Sequence, residues 1–105
     1  MHTAMRLRAI LMSAILLLAG CVVAPPVTPA MLANARGASA DVLNLGRDLY
    51  GGRCTNCHSP DPISKYSLPR WHEIAEEMAP KAKLRSDEKA ALLAYIEAAH
   101  AMPKQ

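Results

Sequence analysis

Apolar positions recur at helical spacing in three stretches of the chain, and in none at the two-residue spacing of a strand. In the first stretch Val42, Leu45 and Leu49 stand at i, i+3 and i+7, which predicts a helix over 41–50 with those three residues on its buried stripe. Ser39 or Asp41 can cap its start, and Gly51-Gly52 ends it, since glycine tolerates the left-handed backbone of a helix end. In the second stretch Trp71, Ile74 and Met78 share a face while Glu73, Glu76 and Glu77 occupy the rest. That predicts a helix over 69–79, with Pro69 at its first position and Pro80 as its stop. In the third, Leu92, Tyr95, Ile96 and Ala99 form the stripe of a helix over 87–99. Ser86 is its expected N-cap, and Asp87 and Glu88 sit where the helix dipole favours acids. Between the first two helices, Ser59-Pro60-Asp61-Pro62 reads as a turn. The expected fold class is all-α, with about three main helices.

Gly46 falls inside the first helix, where it costs about 1 kcal/mol relative to alanine. Close approach of another helix would offset that cost.

Upstream of these helices the pattern changes. Arg6 and Arg8 precede an apolar run over 9–20 that is interrupted only by Ser13. A positive start followed by a short apolar run is the layout of a secretory signal, and it falls short of the roughly 18 residues of a membrane span. The run closes on Leu18-Ala19-Gly20-Cys21, which resembles the signal box of bacterial lipoproteins. The resemblance implies acylation of Cys21 and cleavage before it. With Val22 rather than Asp next in the chain, it implies an outer-membrane address on the periplasmic side. One acyl chain binds a membrane only marginally, whereas two or more hold a protein stably. Residues 21–38, with Pro25, Pro26 and Pro29, read as a flexible lipid-anchored tether. The expected organisation is therefore a signal over 1–20, a tether over 21–38 and a folded domain over 39–105.

Composition narrows the partners. The chain has 105 residues, with 12 basic and 9 acidic residues and a formal charge of +3. Setting aside Arg6 and Arg8 leaves 12 − 2 = 10 basic residues against 9 acidic ones, so the folded part is nearly neutral. That argues against nucleic acid, which needs a clustered basic surface. With no Phe, one Trp and three Tyr, the chain has few large side chains for its core. A domain this small is marginal without a disulfide, a metal or a cofactor.

The pentapeptide Cys54-Thr55-Asn56-Cys57-His58 has the C-x-x-C-H spacing of covalent haem attachment. Two thiols three residues apart can add across two haem vinyl groups while the next residue turns back to ligate iron. A thioredoxin-like dithiol expects a neighbouring βαβ pattern, which is not seen. A structural zinc site wants four ligands, usually in spaced pairs, and there is no second pair. The expected cofactor is one covalent haem c, held by Cys54 and Cys57, with His58 on the iron. For the sixth position Met78 is the leading candidate. Its thioether would raise the potential relative to a second histidine. Met102, His72 and His100 are rivals, and Met31 lies in the expected tether.

The stretch Gly46-Arg47-Asp48-Leu49-Tyr50 followed by CTNCH resembles the class I cytochromes c. In that family a helix with a glycine and an aromatic precedes the haem motif, and the glycine crosses closely over a C-terminal helix bearing aromatics. Here that helix reads Leu92-Leu93-Ala94-Tyr95-Ile96. The segment from Trp71 to Met78, followed by Leu84 and Ser86-Asp87-Glu88, is similar to small single-haem cytochromes that serve as carriers or electron-accepting subunits, such as those of sulfite dehydrogenases. The resemblance implies Met78 as the distal ligand. A proline carbonyl in the family accepts the haem histidine's Nδ1–H, and Pro62 is the candidate for that role here. Trp71 is a candidate for packing on the haem edge or propionates.

The expected function is single-electron transfer to redox protein partners in the periplasm, from a protein held to lipid through Cys21. The chain carries no grouping suited to hydrolysis, and neither enzymatic activity nor a small organic substrate is expected. The alternatives are a haem-bearing subunit of a periplasmic oxidoreductase and a haem sensor or small-ligand binder. Arg53, Lys65, Arg70, Lys81, Lys83 and Arg85 are expected as a docking rim.

Overall fold

The structure, a computed structural model, describes residues 24–53 and 61–103. Among them are four α-helices, one single-turn 3-10 helix at Ile63–Lys65 and no strand. The helices are α1 (Pro29–Ala33), α2 (Ala40–Gly51), α3 (Leu68–Lys81) and α4 (Ser86–His100). The first three start at a hydroxyl cap. Thr28, Ser39 and Ser67 accept from the backbone N–H of Met31, Val42 and Arg70 at 3.2, 3.2 and 3.4 Å. Each cap gives one otherwise orphaned donor a partner, an effect of about 1 kcal/mol. α4 starts differently from the expected Ser86 cap, because Ser86 is already helical and Arg85 is the flanking residue. There Glu88 reaches back to accept from the Arg85 N–H at 3.0 Å, one arm of a capping box.

α4 is the element around which the rest packs. It carries α2 along its length and also meets α3, the 3-10 turn and α1. Leu43, Leu49, Tyr50, Trp71, Leu92, Tyr95 and Ile96 are buried in one core, together with Met31 from α1. All four aromatic rings of the chain form a single string. Tyr66 stands edge-on to Trp71 at 5.1 Å, Trp71 meets Tyr50 at 5.9 Å, and Tyr50 meets Tyr95 at 6.0 Å. Such pairs add about 1 kcal/mol each beyond the area they bury, which matters in a core with so few large residues.

Three further expectations are corrected. The buried face of α2 is Leu43, Gly46, Leu49 and Tyr50, while Val42 and Leu45 are exposed. The helix turns toward α4 on the residue with no side chain and on the aromatic four positions later, and this closest approach sets its phase. Pro80 does not stop α3, which runs on to Lys81. A proline in the last turn removes only the bond to the carbonyl four residues back. The helix then closes with Lys83 N–H on Pro80 O at 3.2 Å and Leu84 N–H on Ala79 O at 2.9 Å. That is a Schellman ending, with Lys83 in the left-handed region at φ 56.

The third correction concerns the tether. Its described part, residues 24–38, is packed onto the bundle rather than free. Met31 is 1% exposed, and Ala24, Val27, Leu32 and Ala38 pack against the core. Burying a methionine side chain contributes about 2 kcal/mol, and the packing of Val27 and Leu32 adds to it.

Candidate functional site

The expected attachment residues Cys54, Cys57 and His58, like Cys21, lie outside the described residues. Arg53, directly before the CTNCH segment, and the chain from Asp61 onward are described, and both are held by α3, the turn that follows it and α4.

On the upstream side is Arg53, directly before Cys54. Its guanidinium forms an ion pair with Glu88 and donates to the Lys83 carbonyl at 3.5 Å. Glu88 is the buried charged residue of the described chain, at 4% exposure. A carboxylate so placed requires a cation and hydrogen bonds, and it has both in Arg53 and the Arg85 N–H. The end of α2 is thereby fastened to the turn between α3 and α4.

On the downstream side is the 3-10 turn. Trp71 donates its indole N–H to the Ile63 carbonyl at 2.8 Å, and a ring nitrogen of His100 lies 3.1 Å from the Tyr66 carbonyl. This side is fastened at the opposite end of α3. Arg53 and Ile63 are therefore anchored at opposite ends of that helix.

Met78 stands between those anchors on α3. Its side chain is half-buried, whereas Trp71, Ala75 and Ala79 form the buried face of the helix. Ile74 is half-buried too, but it packs against the core. Met102, the rival thioether, packs against the core near α1, where its Sδ lies 3.7 Å from Asn34 Nδ2. His72 is exposed and sits 2.8 Å from Glu97. The imidazole of His100 is turned to Tyr66.

Pro62 caps the 3-10 turn, and its carbonyl accepts from the Lys65 N–H at 3.0 Å. A carbonyl has two lone pairs, so one further donor can be accommodated. Trp71 is 5% exposed between Tyr50 and Tyr66. Its single donor is taken by Ile63, so any contact it makes with a cofactor is through the ring.

The expected basic rim is largely neutralised. Lys65 pairs with Asp61, Arg70 with Glu73 and Glu77, Arg85 with Asp87, and Arg53 with Glu88. The hydrogen bond to Asp61 holds the Lys65 pKa above its ordinary value, and the bond from Arg85 holds that of Asp87 below its own. Lys81 and Lys83 have no ion-pair partner among the described residues.

The sequence reading did not find the Arg53–Glu88 pair. Its only signal was an acid in the first turn of α4, which reads equally as a dipole partner. Among the described residues no group of three or more His, Cys, Asp or Glu is gathered for a metal, and no helix is long and apolar enough to cross a membrane. No family model, curated protein or solved structure matches the chain.

Proposed function

We propose that the chain is a lipid-anchored, single-electron carrier of the periplasm with a class I cytochrome c-like fold and one covalent haem c. The observation that carries this reading is the crossing of α2 over α4 just upstream of CTNCH. A β-carbon on Gly46 would come within 2.6 Å of the Tyr95 β-carbon. Tyr50, four residues on, packs against the Tyr95 ring. This is the glycine-and-aromatic arrangement that the resemblance implies, in register with the attachment motif.

The described residues on either side of the motif support this reading. Cys54 and Cys57 would hold the haem covalently, and His58 and Met78 would be the residues offered to its iron. When bound, the group would supply one-electron redox chemistry. The chain's own residues then have two tasks. Met78, half-exposed beside the buried face of α3, offers a thioether that needs no deprotonation. The second lone pair of the Pro62 carbonyl can orient the His58 ring through its Nδ1–H. Arg53 and Ile63, which flank the attachment segment in the sequence, are fastened at opposite ends of α3. Tyr50 and Tyr66 each pack edge-on to Trp71.

Acid-acetone extraction of the native protein tests the attachment. The expected result is haem retained on the polypeptide, and haem released into the organic phase overturns the reading. Replacing Met78 by alanine tests the ligand. The M78A protein is expected to keep its haem, to show a lower reduction potential, and to bind carbon monoxide or cyanide readily. An unchanged low-spin spectrum and potential in M78A would transfer the assignment to another residue.

A further inference from the structure

Residues 24–35 form a strap built into the bundle. The Arg47 Nε–H donates to the carbonyls of Ala24 and Pro25 at 3.2 and 3.1 Å. The Tyr95 hydroxyl donates to the same Pro25 carbonyl at 2.7 Å, and Tyr95 is 0% exposed. Farther along, Val27 and Leu32 pack on the core and Met31 is enclosed by it. Detaching this segment would leave the Tyr95 hydroxyl without its acceptor and open the space that Met31 fills.

The strap shortens the leash. Only Val22 and Val23 separate Cys21 from Ala24. Three steps of extended chain span at most about 11 Å. A free coil over 21–38 would have an r.m.s. reach of about 25 Å and would let the domain turn over. Resting on the reading of Cys21 as the acylated residue, we propose that the face of the domain around Ala24, Pro25 and Arg47 lies against the headgroups of the bilayer. The occupant of that face is a lipid surface, because the acyl chains that a modified Cys21 would carry enter the membrane within one short leash of it. The domain then keeps one orientation, and its electron partners meet it at the membrane surface rather than at the end of a swinging arm.

Neutron reflectometry of the full acylated protein on a supported bilayer of phosphatidylethanolamine and phosphatidylglycerol tests this. The expected water layer between headgroups and protein is no wider than about 10 Å, and inserting a Gly-Ser segment between Val23 and Ala24 is expected to widen it. Hydrogen exchange is expected to show slow amides within α1 in the wild-type protein and faster ones in the R47Q/Y95F double variant. A water layer near 25 Å in the unmodified protein, the reach of a free tether, overturns the docking. Amides of α1 exchanging at the rate of an unfolded chain overturn the strap. The mass of the N-terminal peptide separates the two readings. Acylated Cys21 with a wide water layer overturns the docking alone, whereas Cys21 without acyl chains overturns the anchor reading and the docking together.

Discussion

Gly46 and Ala91 are in backbone contact. A β-carbon on Gly46 would meet the Ala91 carbonyl oxygen and come within 2.6 Å of the Tyr95 β-carbon. Neither obstacle is the flexible end of a side chain, so neither can give way without moving α2 away from α4. Alanine is favoured over glycine in a helix interior by about 1 kcal/mol. Overpacking against backbone costs about 1–3 kcal/mol and can exceed that. G46A is therefore expected to lower stability by about 2 kcal/mol, read as a fall in the denaturant midpoint. A neutral or stabilising G46A would mean that the helices do not cross at this residue.

The cost of Gly46 was legible in the sequence, and so was its reason. Three helices were legible as well, because their caps and periodicity are local. The phase of α2 was not. Val42 and Leu45 make as good an apolar stripe as Leu43 and Tyr50, and only the approach of α4 decides between them. The strap was illegible for a different reason. Its bonds join Pro25 to Arg47 and to Tyr95, 22 and 70 residues away, and a proline-rich stretch otherwise reads as a linker. Of the candidate site, CTNCH and Met78 could be read from residue type and spacing. The Arg53–Glu88 pair could not, since it forms only where the ends of α2 and α3 meet the start of α4.

Lys83 closes α3 in the left-handed region, at φ 56, where helices usually place glycine. An L-residue with a β-carbon pays about 1–2 kcal/mol for that conformation, against a smaller entropic penalty for glycine. K83G is expected to raise stability by about 0.5–1 kcal/mol. The carbonyl that Arg53 reaches is unaffected by the change. Thermal unfolding of K83G and K83A would check it, with K83A expected to match the wild type because it keeps the strain.

The Arg53–Glu88 pair is asymmetric, with side-chain exposures of 43% and 5%. Removing Arg53 leaves a buried carboxylate with only the Arg85 N–H and a guanidinium nitrogen 3.8 Å away. Removing the charge on Glu88 leaves an arginine that water can solvate. R53M is therefore expected to cost about 2–3 kcal/mol and E88Q about 1 kcal/mol, below the full loss of a buried pair because one partner is half-exposed. Chemical denaturation of the two variants would give the order, and equal losses would contradict the burial argument.

The alkaline limit of stability is expected to depend on Tyr95. Burial pushes its hydroxyl pKa up to about 12, against the opposing effect of the nearby Arg47 charge and hydrogen bond. In the unfolded chain a tyrosine gives up its proton near pH 10. Between those two values the folded protein binds more protons than the unfolded one, so stability falls as pH rises from about 10 to about 12. Below pH 10 the contribution is complete. Ionisation would place an anion in the core and remove the donor to the Pro25 carbonyl, so the strap is expected to loosen in the same range. Y95F removes the hydroxyl while keeping the ring against Tyr50. At neutral pH it is expected to cost about 1 kcal/mol for the lost hydrogen bond, with Arg47 still serving the Pro25 carbonyl. Lysines titrate in this range in both proteins, so the informative quantity is the difference between wild type and Y95F. That difference should shrink as pH passes from about 10 toward 12 and then change sign as the cost of burying the phenolate takes over. Urea midpoints of the two proteins at successive alkaline pH values would measure it, and parallel curves would show that the Tyr95 hydroxyl is not held neutral by the fold.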